Sequence, residues 1–490
     1  MLKNFSKTKL NENKYLLLGH LTFLVLFIFS LVLALERVLY TDSACQIFEM
    51  IERCGFKQNV RRYSMFLSEL LPVLAIHLKL PLKTVLLSYS VSFILTAYGF
   101  WLLTTYVLKN RYVGIVMLFT MIGIRQTFFH AISETFQLMF FVAFLYAWLD
   151  SRFAEREGIG KKIFYYFVAL FMMALCVFIH PVALFFLLFI TGIYILNKKY
   201  TATQKIIVSL LTVGILILKF LTIEKGSHDT DYNIGLQEFI GYTINLYRLN
   251  STKWFLIHLI DFYWVPLTLF IITLIQYKRK KEYLNFIFLL GFTSFFMLIT
   301  LVLYHAPDGS IGRERSFLPL MFFCVLPFMR DVFPNISFKK KKIFFIVLTS
   351  LLAIGFIKIA VASKSYSERL KKIDEIVAFA NKENQKKLVM DQEMARTIFP
   401  VNPPYSWATG FESMMYSAMI HIDSTVNFYI QENLNAEREN EYFLSEDFYL
   451  GVQWWIFWWI KDLDTNYFKI PPQPAKELIV EDGKFVIKDL

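Results

Sequence analysis

The chain is 490 residues long, 56% hydrophobic and 18% aromatic, with 52 Phe and only 18% charged residues. A water-soluble fold of this length cannot hide so much apolar surface, so the composition excludes an ordinary soluble enzyme and points to lipid as the solvent. The net charge of +12 suggests a nucleic-acid binder only until it is mapped. Residues 363–490 hold 14 Lys+Arg against 20 Asp+Glu, and the remainder holds 37 against 19. The excess sits in short loops, Lys198-Lys199, Lys278 to Lys281 and Lys339 to Lys342, where it reads as a positive-inside topology signal, with no nucleic-acid partner.

Windows of about twenty nearly uncharged residues, each able to cross a hydrocarbon core of about 30 Å, recur from Tyr15 to Ala362. The first follows the basic stretch Lys3 to Lys14 and lacks a small-residue cleavage site, so it reads as a retained helix. The eleven expected spans are about 15–37, 83–107, 112–125, 134–150, 163–180, 182–197, 205–223, 254–276, 284–304, 317–334 and 343–362. Basic loops on the inside then give a cytoplasmic N-terminus, and an odd number of spans puts the acidic tail outside. The expected fold is a polytopic α-helical membrane protein, a module over 1–362 followed by a C-terminal α/β periplasmic domain over 363–490. No repeat of 20–50 residues and no related halves stand out.

The outer loop 38–82 is far longer than a connection needs to be. Ser43 to Arg53 and Tyr63 to Lys79 read as two amphipathic helices at the membrane interface. The second carries Met65, Phe66, Leu70, Leu74 and Leu78 as a stripe, with Glu69 and His77 off it. Cys45 and Cys54 share this loop, but one helix over 43–53 would hold them about 13 Å apart, too far for a disulfide. Cys176 and Cys324 fall inside spans. Beyond Ala362, Ser365 to Ala380 reads as an amphipathic helix, Lys387 to Met390 and Val426 to Ile430 as strands, and Tyr416 as a helix end. Glu477 to Lys488 reads as a hairpin turning at Asp482-Gly483. Trp454, Trp455, Trp458 and Trp459 crowd one stretch, as a domain core or a patch on the headgroups.

The most pointed polar residue is Asp42, in Tyr40-Thr41-Asp42-Ser43-Ala44 just after the first span. It is either the N-cap of the following helix or a carboxylate at the water–lipid boundary able to meet a lipid-borne donor and a water-borne acceptor. Arg313 and Arg315 lie in an outer segment, against the positive-inside trend, and suit phosphate through their forked donors; the alternative is an internal ion pair with Asp308 or Glu314. Arg61 and Arg62, between the two amphipathic helices, suit a lipid headgroup or a donor phosphate. Arg125, His130 and Glu134 follow a short span, at a depth where ionisable groups are costly, with an Arg125–Glu134 pair as the plain alternative. His180 before Pro181 ends a span facing outward. His228, Asp229 and Asp231 lack metal-ligand spacing, and no metal or other cofactor is expected.

An acidic residue at the outer end of the first span, then two interfacial helices, many further spans and an outer tail resemble the GT-C superfamily of integral membrane glycosyltransferases. Ser133-Glu134-Thr135-Phe136 resembles the Ser-Glu opening of a helix in several members. The resemblance implies a donor sugar on a polyprenyl phosphate or similar lipid, with a glycan, lipid or protein as acceptor. It further implies Asp42 as general base. On that hypothesis Arg61, Arg62, Arg313 and Arg315 are the expected donor-phosphate ligands, and Arg125, His130, Glu134 and His180 the cavity-lining residues. A bacterial inner membrane suits the Phe-, Lys- and Asn-rich composition. Two rivals are open: a polymerase or ligase of the O-antigen type working through outer arginines, and a transporter or flippase for lipid-linked saccharides.

Overall fold

In the computed structural model, the described residues are 2–57, 62–152, 158–222, 234–305, 310–432, 434, 445–452 and 456–490. The chain opens with α1 (Leu2–Val32), the short α2 (Ala34–Val38), α3 (Thr41–Arg53) and α4 (Phe66–His77). The bundle continues with α5 (Leu82–Leu102), α6 (Arg111–Thr120), α7 (Glu134–Arg152), α8 (Ile159–Val177), α9 (Ala183–Leu196) and α10 (Ala202–Thr222). Next come α11 (Leu236–Ile244), α12 (Asn250–His258), α13 (Trp264–Arg279), α14 (Tyr283–Leu303), α15 (Ser310–Phe317) and α16 (Pro319–Pro327). Last are α17 (Phe338–Lys382), α18 (Gln392–Ile398) and α19 (Thr409–Ile420), set among strands β1 (Lys387–Asp391), β2 (Asn427–Gln431), β3 (Phe448–Val452), β4 (Ile456–Trp459), β5 (Lys476–Glu481) and β6 (Lys484–Lys488).

Among the described residues, eight stretches are long and apolar enough to cross a membrane: on α1, α5, α8, α10, α12–α13, α14, α15–α16 and α17. The chain is thus a helical protein built for membrane insertion. The other three expected spans coincide with α6 and α9, which are shorter, and with α7, whose apolar run is diluted by Glu134, Gln137 and Asp150. On α1, Leu17, Leu21, Leu24 and Ile28 recur at helical spacing and are about half exposed, while Leu18 and Leu26 are buried. Lipid rather than water is the fitting solvent for such a stripe. α1 crosses α5 closely at Gly19, where a Cβ would stand 2.0 Å from the Trp101 ring.

Two expectations for the 38–82 loop and the tail change. Residues Ser43 to Ile51 of α3 are all buried, because α19 lies over the helix and Phe48 stacks on Phe411 at 4.5 Å between ring centroids. α3 is therefore an enclosed helix, not an interfacial one. α4 does keep an exposed stripe of Phe66, Leu70, Leu74 and Leu78, while Met65 and Glu69 turn inward. The second change is at residue 362. The last span and the expected amphipathic helix form one unbroken 45-residue helix, α17, about 68 Å long at 1.5 Å per residue.

The strands form a four-stranded sheet in the order β2-β1-β5-β6, with β1 parallel to both β2 and β5 and β5 antiparallel to β6. The β5–β6 hairpin turns at Asp482-Gly483, both with positive φ. β3 and β4 make a separate antiparallel pair that includes Trp458 and Trp459; Trp454 and Trp455 lie outside the described residues. The helix ending the middle of this region runs to Ile420, four residues past Tyr416. Cys45 and Cys54 are free thiols.

Candidate functional site at the start of the 38–82 loop

The backbone between α6 and α7 is what carries His130. It breaks into two short 3-10 turns, and every residue from Met121 to Phe144 except Arg125 is buried. Non-helical backbone at such depth needs side chains to satisfy it. Glu314 accepts from the N–H groups of Gln126 (3.1 Å) and Thr127 (2.8 Å). The buried Arg37 donates to the Phe128 carbonyl (2.6 Å) and to both oxygens of Ser90, its guanidinium 4.0 Å from the Phe128 ring. Tyr366 of α17 donates to Gln126 Oε1 (2.8 Å) and stacks on Phe129 at 4.2 Å. Ser43 Oγ accepts from Ile132 N at 3.4 Å.

His130, 3% exposed, is thereby aimed at the first turn of α3. Its Nε2 lies 3.2 Å from Asp42 Oδ2, and the Asp42 side chain is 47% exposed. On the other side of the ring, Arg315 Nη1 stands 3.4 Å from Nδ1. A guanidinium can only donate, so Nδ1 is the acceptor and the ring proton sits on Nε2, donated to the carboxylate. Three residues expected separately are thus joined as carboxylate, imidazole and guanidinium. Beside them Glu134, buried at the start of α7, takes an ion pair from Arg62 Nη1 and lies within electrostatic reach of His180 and Arg315.

Asp42 is not the N-cap of α3. That position is Tyr40, and the intervening Thr41 adopts a left-handed φ of 47°, strained for a β-branched residue. The tail holds it there. Thr41 N donates to Glu412 Oε1 (2.9 Å), and the wholly buried Glu412 also takes bonds from Ser406 Oγ and from Arg369 Nη2. Arg369 further donates to the carbonyls of Leu39 (3.0 Å) and Pro404 (3.2 Å) and covers the Tyr40 ring at 4.8 Å. Arg369 and Glu412 are site residues that sequence reasoning missed. One signal was present: Arg369 lies on the apolar stripe of α17 with Tyr366, Ile373 and Ile376.

Other expected residues are placed differently. Arg125 does not pair with Glu134; its guanidinium faces the Phe262 ring at 5.6 Å, and its buried Nε has no hydrogen-bond partner. Glu314 is occupied by backbone amides, and Arg315 turns to His130 rather than to it. Arg313 shares α15 with Arg315. His180 accepts from Val182 N through Nδ1 at 3.2 Å, a local bond at a helix start. Arg61, His228, Asp229, Asp231 and Asp308 lie outside the described residues. Among the described residues no group of three His, Cys, Asp or Glu is arranged to hold a metal ion.

Comparison of the chain with protein-family models, with curated proteins and with solved structures finds no match in any of the three.

Proposed function

We propose that this chain is a GT-C-type membrane glycosyltransferase that moves a sugar from a lipid-phosphate carrier to an acceptor at the outer face. The supporting observation is the Asp42–His130–Arg315 chain, with contacts of 3.2 and 3.4 Å. In this reading Asp42 takes the proton of the acceptor hydroxyl as its oxygen bonds to the sugar C1, and the C1–O bond to the lipid phosphate breaks. The phosphate leaves as an anion, so no general acid is required, and Arg315 with Arg313 neutralises the growing charge. His130 is a positioning residue that fixes the Asp42 carboxylate, and Glu134, ion-paired to Arg62 and within electrostatic reach of His180, flanks the donor phosphate.

The reading includes eleven spans, with α6, α7 and α9 added to the eight, a cytoplasmic N-terminus, and a C-terminal domain outside a bacterial inner membrane. Its partners are membrane lipids, a polyprenyl-phosphate sugar and a glycan, lipid or protein acceptor. The ligase-like reading draws on the same contacts differently: Arg315 and His130 do the work, and Asp42 only orients the ring.

The test is sugar transfer in proteoliposomes against a panel of polyprenyl-phosphate sugars. Asp42→Asn is expected to lower transfer by about 10²–10⁴-fold, and Arg315→Ala by about 10²–10³-fold. Transfer by Asp42→Asn at the wild-type rate, with Arg315→Ala inactive, would replace the base mechanism with the ligase-like one. Transfer of no sugar in the panel by the wild-type chain would remove the enzyme reading.

A further inference from the structure

A second feature lies in the tail. β1 and β2 are adjacent parallel strands in register from Lys387↔Asn427 to Asp391↔Gln431, and a cleft opens where both end. Such crevices at the carboxyl ends of parallel strands are where α/β sheets hold ligands. Here the wall includes Gln392, Tyr405, Ser406, Trp407, Gln431 and Glu432, and the shallow cleft, open to solvent, has a cavity volume of about 80 Å³. Trp407 is 36% exposed, a large ring about a third out of the protein. Gln392 Nε2 donates to Glu432 Oε1 at 2.9 Å, and Arg396 Nη2 donates to Gln392 Oε1 at 3.2 Å, so the amide and carboxylate stand fixed side by side.

We infer that this cleft binds a neutral saccharide, the terminal unit of the acceptor glycan. Rings such as Tyr405 and Trp407 offer a face to the C–H side of a pyranose, and paired amide and carboxylate groups take its neighbouring hydroxyls. The exposed Glu432 carboxylate repels uronate and phosphate ligands. The open, shallow form suits one end of a longer chain better than an enclosed metabolite. The cleft is also tied to the reaction centre: Ser406, in its wall, donates to the same Glu412 Oε1 that accepts from Thr41 N, the residue before Asp42. Binding as such follows from the cleft alone, whereas the role of acceptor site rests on the glycosyltransferase reading.

Saturation-transfer NMR on the detergent-solubilised full chain tests it, with glucose-, galactose-, mannose- and N-acetylglucosamine-based tetrasaccharides and tetragalacturonate as probes. Transfer to the ring protons of at least one neutral probe is expected. Its affinity should fall about tenfold in Trp407→Ala and also in Gln392→Ala, which disturbs no buried core. Silence from every neutral probe, binding untouched by both cleft variants, or a preference for tetragalacturonate would overturn the inference. Sugar binding without sugar transfer in proteoliposomes would leave the cleft standing and remove the enzyme reading. Transfer with a silent cleft would do the reverse.

Discussion

At the first turn of α3, Asp42 stands 47% exposed and meets one edge of a buried imidazole. In the last turns of the same helix, Glu49 is buried and ion-paired to Lys57, itself 5% exposed. Glu52 there takes the backbone N–H of Asp464 with both oxygens, each at 3.2 Å. The helix dipole favours a carboxylate at the first end and opposes one at the second. The second end offsets that with an ammonium and a backbone amide. Groups so paired hold the fold and cannot change partners, whereas Asp42 keeps a face toward solvent on which a substrate could act. One helix therefore separates a structural end from a chemical end.

The sharpest way to break this comparison is to mutate both ends. Asp42→Asn should lower sugar transfer by about 10²–10⁴-fold while leaving the melting temperature in detergent unchanged. Lys57→Ala should do the opposite: it leaves the buried Glu49 carboxylate to the largely exposed Arg53, 3.5 Å away, destabilises the chain by up to about 3–5 kcal/mol and leaves the turnover of the folded fraction intact. Loss of transfer in Lys57→Ala at an unchanged melting temperature would erase the distinction.

A smaller effect concerns pH. Burial pushes the Glu52 carboxyl from 4.5 up to about 7, with the nearby Asp464 and Asp462 charges adding to the rise and the Asp464 amide opposing it. Between those pH values the folded chain retains a proton that the unfolded chain has released. Stability should therefore fall as pH rises from about 4.5 to about 7, by at most about 3 kcal/mol. Melting curves across that range should flatten in Glu52→Gln; an unaltered slope would show that another group carries it. The smallest expected change is Thr41→Gly, which relieves the left-handed backbone. It should raise stability by about 1 kcal/mol or less, since glycine also loses more entropy on folding. Transfer should slow several-fold as Asp42 loses its fixed approach.

Eight of the expected spans were legible as long apolar helices because a bilayer imposes a length and an apolarity on any helix that crosses it. β1, β2 and the Asp482-Gly483 hairpin were legible from short apolar runs and turn chemistry. The continuity of α17 was not: the onset of charge near Lys364 signals departure from lipid, yet says nothing about the helix stopping. Burial of α3 was also hidden, since its cover, α19, lies more than 350 residues downstream. For the site, Asp42, His130 and Arg315 each stood out by position. Their union did not, because the contacts span 88 and 185 residues, and no local period encodes a pairing at that range.

The bond from Thr41 to Glu412 spans 371 residues, and this fixes an order of events during synthesis. Asp42 leaves the ribosome early, yet the clamp on the backbone before it needs Arg369 and Glu412, which follow only after the last apolar stretch. Every earlier intermediate carries the carboxylate without its finished surroundings. A chain truncated between Lys382 and Glu412 would hold all eight long apolar helices and still lack the carboxylate that clamps Thr41, so the turn that carries Asp42 is finished only once the tail has come home.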